Sequence, residues 1–172
     1  RYPMNAKLKV AFLMDPLEKL DLHGDTTFAL ALEAQQRGHL IYHFTPDELF
    51  LRSNKVLTKI CKLELSSENE INTYKYHEKK VTLLSDFDLV MMRQDPPFDM
   101  SYITATHLLE KLTKKTLVVN NPFEVRNAPE KIFVTNFPHL MPQTLITKDI
   151  NIIKSFKDEF KDIIIKPLFG NG

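Results

Sequence analysis

The side chains best suited to polar chemistry fall at the ends of apolar runs. Three such ends read Met14-Asp15-Pro16, Arg93-Gln94-Asp95-Pro96-Pro97 and Asn120-Asn121-Pro122. Each proline holds the residue before it in an extended conformation, so the polar group just ahead of it has little freedom. One such ending can be a plain strand stop that caps the next helix. Three at one edge of a sheet, an arginine among them, point to a rim for a polar ligand. Arg93 directly follows a Val-Met-Met run, and its planar fork suits a carboxylate or a phosphate. An ion pair with Asp95 or Asp99 is its alternative employment. Lys166 closes an Ile-Ile-Ile run and precedes Pro167 and Gly170-Asn171-Gly172. A lysine there can meet phosphate as a point charge while loop amides cradle it, or it can be an ordinary surface lysine.

Other chemistries find less support. The six histidines, His23, His39, His43, His77, His107 and His139, show no metal-ligand spacing and read as surface or core-edge residues. No GxSxG, Walker A or complete GxGxxG motif occurs. The single Cys61 cannot form an internal disulfide, which sets a reducing cytoplasm as the expected compartment. With 23 Lys+Arg against 22 Asp+Glu, the net charge of +1 offers no bulk attraction to nucleic acid or an anionic membrane. No apolar run approaches the roughly 18 residues of a spanning helix. Arg1 to Asn5 lack the apolar core of a signal peptide.

The elements that must position the rim are legible in the 172 residues. Lys7 to Met14 is a near-continuous apolar run and reads as a strand buried on both faces, as in a parallel sheet. A helix follows from an Asp25 cap through Phe28, Ala29, Leu32 and Gln36, closing at Arg37-Gly38. Leu40 to Phe44 is a second strand. It runs into Thr45-Pro46-Asp47-Glu48, a capping-box pattern that predicts a second helix. Residues 52–80 are polar with short alternating pieces and predict a small antiparallel hairpin. Asp88 to Met92, a helix from about Ser101 to Lys114, and Thr116 to Val119 resume the strand-helix-strand order. That order predicts an α/β domain, a Rossmann-like parallel-core sheet with helices on both faces and right-handed crossovers. After Ala128 the texture changes. Strands are expected at Thr144–Thr147 and Asp162–Lys166, with a helix between them from about Asp149. Two of the four glycines, Gly170 and Gly172, begin a glycine-rich loop at the end of the chain, which reads as a fragment of a longer protein.

Five ordered segments resemble the prokaryotic glutathione synthetase family of the ATP-grasp superfamily. They are Met14-Asp15-Pro16, Gly24 to Ala29, Met92 to Asp99, Asn127 to Lys131 and Ile165 to Gly170. The resemblance implies a substrate-binding (pre-ATP-grasp) domain over residues 5–128 and the start of an ATP-grasp domain over 129–172. It also implies ATP-dependent ligation of γ-glutamylcysteine to glycine through an acyl phosphate, giving glutathione, ADP and phosphate. Carried over by motif, Lys131, Lys166, Gly170, Asn171 and Gly172 are ATP-binding. Arg93, Asp15 and Asp25 lie on the side of the dipeptide. Mg2+ is expected, with its ligands beyond residue 172 and none in this segment, and Mn2+ is an alternative. A cytoplasmic homotetramer or homodimer without nucleic-acid or membrane partners is expected, with no turnover by these 172 residues alone. Gln94 stands where relatives commonly carry lysine. Another ATP-grasp carboxylate-amine ligase, or a non-enzymatic α/β ligand-binding module, remain the other readings.

Overall fold

A computed structural model of the chain describes residues 6–69, 71–112 and 114–169. Its strands are β1 (Lys9–Leu13), β2 (Leu40–Phe44), β3 (Leu49–Arg52), β4 (Lys55–Glu68), β5 (Ile71–Tyr76), β6 (Lys80–Leu83), β7 (Leu89–Met92) and β8 (Leu117–Val119). Its helices are α1 (Thr26–Gln36), α2 (Met100–Glu110), α3 (Pro122–Asn127), α4 (Glu130–Phe133) and α5 (Ile150–Phe160). The strands β2, β1, β7 and β8 lie side by side and parallel. The long β4 joins β2 antiparallel and carries β3, β5 and β6, also antiparallel.

Alternation along β1 explains both layers of core. Val10, Phe12 and Met14 pack on one face with Ile41 of β2 and with Phe28 and Ala31 of α1. Ala11 and Leu13 pack on the other face with Val90, Met92, Val118 and Leu109 of α2. The parallel core with helices on both faces is therefore present as the sequence predicts. α1 begins at Asp25, whose carboxylate accepts from the Phe28 amide at 2.6 Å. It ends before Gly38, which takes a φ of +89° that side-chain-bearing residues resist. The expected hairpin at 52–80 is present, and Ser53 and Asn54 turn β3 into β4 with φ of 48° and 58°. Positive φ at both central residues matches the right-handed twist of the paired strands.

Three expectations fail. Thr45 to Glu48 form one 3₁₀ turn and no longer helix. The Glu48 carboxylate does accept from the Thr45 amide at 3.0 Å, but the following Leu49 to Arg52 pair with β4 instead of continuing a helix. Neither Thr144–Thr147 nor Asp162–Lys166 forms a strand. A strand requires a neighbour for its amides and carbonyls, and no other described strand pairs with either run. Ile164 and Ile165 accordingly stand 85% and 71% exposed. α5 is capped by Asp149 yet buries none of its residues.

Candidate functional site

Strand β1 is where the sheet's order reverses. The chain leaves β1 through α1 to β2 on one side and returns to β7 on the other. Ligands in open α/β sheets bind at such a switch point, outside the carboxyl ends of the strands. Two hydrogen bonds carry the ladder past the strand ends: the Met14 amide donates to the Phe44 carbonyl at 3.2 Å, and the Arg93 amide to the Leu13 carbonyl at 2.8 Å. Asp15 and Arg93 therefore emerge beside each other at the reversal.

The Arg93 side chain is half-buried, and its Nε donates to Thr27 Oγ1 at 3.0 Å. Thr27 lies in the first turn of α1 and is 4% exposed. Among the described residues Arg93 makes no ion pair, so the alternative with Asp95 or Asp99 is not realised. Asp99 instead caps α2, accepting from the Tyr102 amide at 3.0 Å. Burial pushes the Asp15 carboxyl above its ordinary range, and the Asp95 carboxylate pushes it the same way. Asp25 is committed through one oxygen to the α1 cap. Asn121 is likewise a cap, accepting from the Phe123 and Glu124 amides of α3.

Three residues have surroundings that sequence reasoning did not foresee. Thr27 lay inside the Gly24 to Ala29 segment but carried no role there. Gln94 is only 8% exposed, and its Oε1 is buried without a hydrogen-bond partner. His43 is not a surface residue: it is 2% exposed, with Nε2 placed 3.4 Å from the Asp15 carbonyl oxygen and Nδ1 unpartnered. Burial pushes its pKa below the ordinary 6.5, so the ring stays neutral and donates from Nε2 in that tautomer. Its position inside the apolar run Leu40 to Phe44 was the available signal. Beside it, the hydroxyl of the half-buried Tyr76, its pKa pushed up to about 12 by burial, accepts from the Leu17 amide at 3.0 Å.

The lysines sit on another segment. Lys131 Nζ donates to the Pro167 carbonyl at 2.7 Å, which ties α4 to the residue following Lys166. Lys166 itself is exposed. Gly170, Asn171 and Gly172 lie outside the described residues. Between this segment and the rim is a cavity of about 430 Å³, with Pro96, Phe98 and Tyr102 on the rim side and Pro129 and Phe169 on the other. Among the described residues no group of three His, Cys, Asp or Glu side chains could hold a metal ion. The described residues therefore offer no ready-made metal cage of such side chains.

An α/β sheet with an arginine at its switch point, and a cavity between its rim and a lysine-bearing segment, is the architecture of an α/β ligand-binding protein. The chain's likeness to known sequences makes this particular. The profile described as "Prokaryotic glutathione synthetase, N-terminal domain" matches residues 8–126, and "Prokaryotic glutathione synthetase, ATP-grasp domain" matches 130–172. The chain belongs to the prokaryotic glutathione synthetase family. It is similar to the glutathione synthetase of Mesorhizobium japonicum, 55% identical over 96% of this chain and 53% of that protein. It also resembles those of Brucella melitensis, 54% identical over 96% of this chain and 53% of the relative, and Agrobacterium fabrum, 51% over 97% and 52%. The chain spans about half the length of these curated relatives.

Proposed function

We propose that this chain is the dipeptide-binding part, and the beginning of the ATP-binding part, of an enzyme that joins γ-glutamylcysteine to glycine. The observation that carries this reading is Arg93 at the switch point, held by Thr27, on the rim from which a cavity extends to the segment that carries Lys131. The boundary falls near Ala128, giving units 5–128 and 129–172, and the two profile matches support it. ATP transfers its terminal phosphoryl group to the cysteinyl carboxylate, releasing ADP. The amine of glycine then attacks that carbonyl carbon, loses a proton, and inorganic phosphate leaves with the C–O bond broken.

Arg93 holds a carboxylate of the dipeptide, with its fork oriented by Thr27. Asp15 lines the same crevice. Asp25 acts through the cap it gives α1, which keeps Thr27 in place. Lys131 and Lys166 meet the phosphates of ATP, and Gly170 to Gly172 supply loop amides. Mg2+ would neutralise phosphate charge when bound, by ligands outside these residues. A homotetramer or homodimer in the cytoplasm is the expected setting, supported by the family and by the lone, buried Cys61. The test is made on the full reading frame containing these residues: glutathione and one phosphate should form per ATP from γ-glutamylcysteine and glycine. ATP turnover dependent on D-alanine in place of the dipeptide would replace this reading with another ligase of the superfamily.

A further inference from the structure

A second arginine, Arg126, has no part in the reaction described so far. It lies in the last turn of α3, and its side chain is 13% exposed. Its Nη2 donates to Glu110 Oε2 at 2.6 Å, and its Nη1 lies 3.5 Å from both Thr106 Oγ1 and the Pro122 carbonyl oxygen. Thr106 is fully buried and its hydroxyl donates to the Ile103 carbonyl at 2.6 Å, which leaves the oxygen free to accept from Arg126. The guanidinium also stands 5.4 Å from the centroid of the Phe123 ring. Both terminal nitrogens are thus occupied within the fold, unlike those of Arg93. The fork joins Glu110, the last residue of α2, to α3. α2 starts at the Asp99 cap just beyond the rim prolines, and its Tyr102 lines the cavity. α3 supplies Glu124 and Val125 to the same cavity, and Ala128 and Pro129 follow before α4 carries Lys131. Arg126 itself does not line the cavity but reaches to α2. The path from rim to Lys131 therefore runs along α2, across the Arg126 fork, along α3 and through a two-residue link. A planar fork fixes angle as well as distance, which a point charge does not.

We infer that Arg126 is a positioning residue: braced on Glu110, it sets α3 so that the segment bearing Lys131 meets the rim in register for phosphoryl transfer. The inference rests on the ligase reading above. In that reading an oxygen of the cysteinyl carboxylate forms a bond to the terminal phosphorus of ATP while the bond from that phosphorus to ADP breaks. Dipeptide and ATP are held from different sides of the cavity, so a shifted α3 leaves each set of binding groups whole and separates the reacting atoms. A misplacement of about 1 Å can cost on the order of 100-fold in rate. The signature of Arg126 is accordingly a loss in kcat rather than a rise in KM.

The experiment measures kcat and both KM values in the full reading frame, at a temperature where the melting curve of each variant shows it folded. Arg126→Met keeps most of the stem and removes the fork. Its kcat should fall roughly 10- to 100-fold, while KM for ATP and KM for γ-glutamylcysteine stay within about threefold of the parent values. Arg126→Lys, which still offers Glu110 a charge but no fork, should recover part of that loss. A lower melting temperature with unchanged kcat overturns the inference and leaves Arg126 as a brace of α3. A rise of about tenfold in either KM with kcat unchanged also overturns it, because Arg126 would then be binding that substrate. Glu110→Gln removes the charge from the other side of the pair and decides the matter should Arg126→Met fail to fold. Its kcat should fall with both KM values held, and an unchanged kcat in the folded Glu110→Gln protein overturns the inference. A parent protein that forms no ADP from these substrates refutes the ligase reading itself. A parent that does so, with variants that match its kcat, refutes only the role of Arg126.

Discussion

Arg93 and Lys166 are both single cations at the ends of apolar runs, yet their surroundings divide their work. Arg93 is half-buried, and its Nε is already spent on Thr27, which leaves the terminal nitrogens of the fork for a ligand. Arg93→Lys keeps the charge and loses both the Thr27 bond and the paired donors, so it is not a conservative change. On the proposed ligase reading, steady-state kinetics of the full reading frame should show KM for γ-glutamylcysteine rising at least about tenfold with KM for ATP nearly unchanged. A lower melting temperature with an unaltered dipeptide KM would leave Arg93 as a brace for α1 and nothing more. Lys166 is exposed and contributes little to packing. Lys166→Ala should therefore leave the melting temperature in place while weakening ATP binding roughly 10- to 150-fold in calorimetric titration. Unchanged ATP affinity would remove it from the site.

At the scale of elements, α1 links the core to the rim. Its apolar residues Phe28 and Ala31 seat it on β1 and β2, and its first turn carries Thr27 to Arg93. The Asp25 cap fixes where that turn begins. Asp25→Ala should cost about 1 kcal/mol of stability, whereas Asp25→Ser, which still accepts from the Phe28 amide, should cost less than half of that. Because the cap also sets Thr27, dipeptide KM should follow stability across the two variants. If Asp25→Ser folds as stably as the parent and still loses dipeptide affinity, Asp25 touches the substrate directly through its second oxygen. The same logic of partners explains the elements that do not form. The capping box at Thr45 starts a turn, but β4 offers Leu49 to Arg52 a ladder, and tertiary pairing overrides the local helix signal.

For the whole molecule, the buried polar group with the largest reach is His43. It sits between β1, β4 and the β5 tyrosines, close to Lys79 and Glu48, which pair with each other. Burial depresses its pKa, so the folded protein holds it neutral while the unfolded chain takes up a proton below about 6.5. Stability from this group is complete above that pH and is lost as pH falls through the window beneath it, by at most about 1.4 kcal/mol per pH unit for one proton. His43→Gln retains a donor for the Asp15 carbonyl and cannot titrate. Thermal melts from pH 7.5 to 5 should show a shallower decline for that variant than for the parent, and parallel curves would mean that His43 is protonated or exposed in the fold.

Much of this protein is decided by local sequence. Runs such as Val10 to Met14 and Leu89 to Met92 announce buried strands by their apolar residues. Asp25, Asp99, Asn121 and Asp149 cap their helices through contacts within three residues. The five ordered segments, Met92 to Asp99 the most specific among them, carry the family likeness without any tertiary contact. What the tertiary structure alone decided is which polar groups meet. Arg93 and Thr27 are 66 residues apart, and Lys131 and Pro167 36 apart, so no spacing rule links them. Burial of His43 and Gln94 is likewise a property of what packs over them, not of their own types. The failed strands at Thr144–Thr147 and Asp162–Lys166 show the converse: an apolar run can be read from its residues, but a strand exists only where another strand completes its hydrogen bonds.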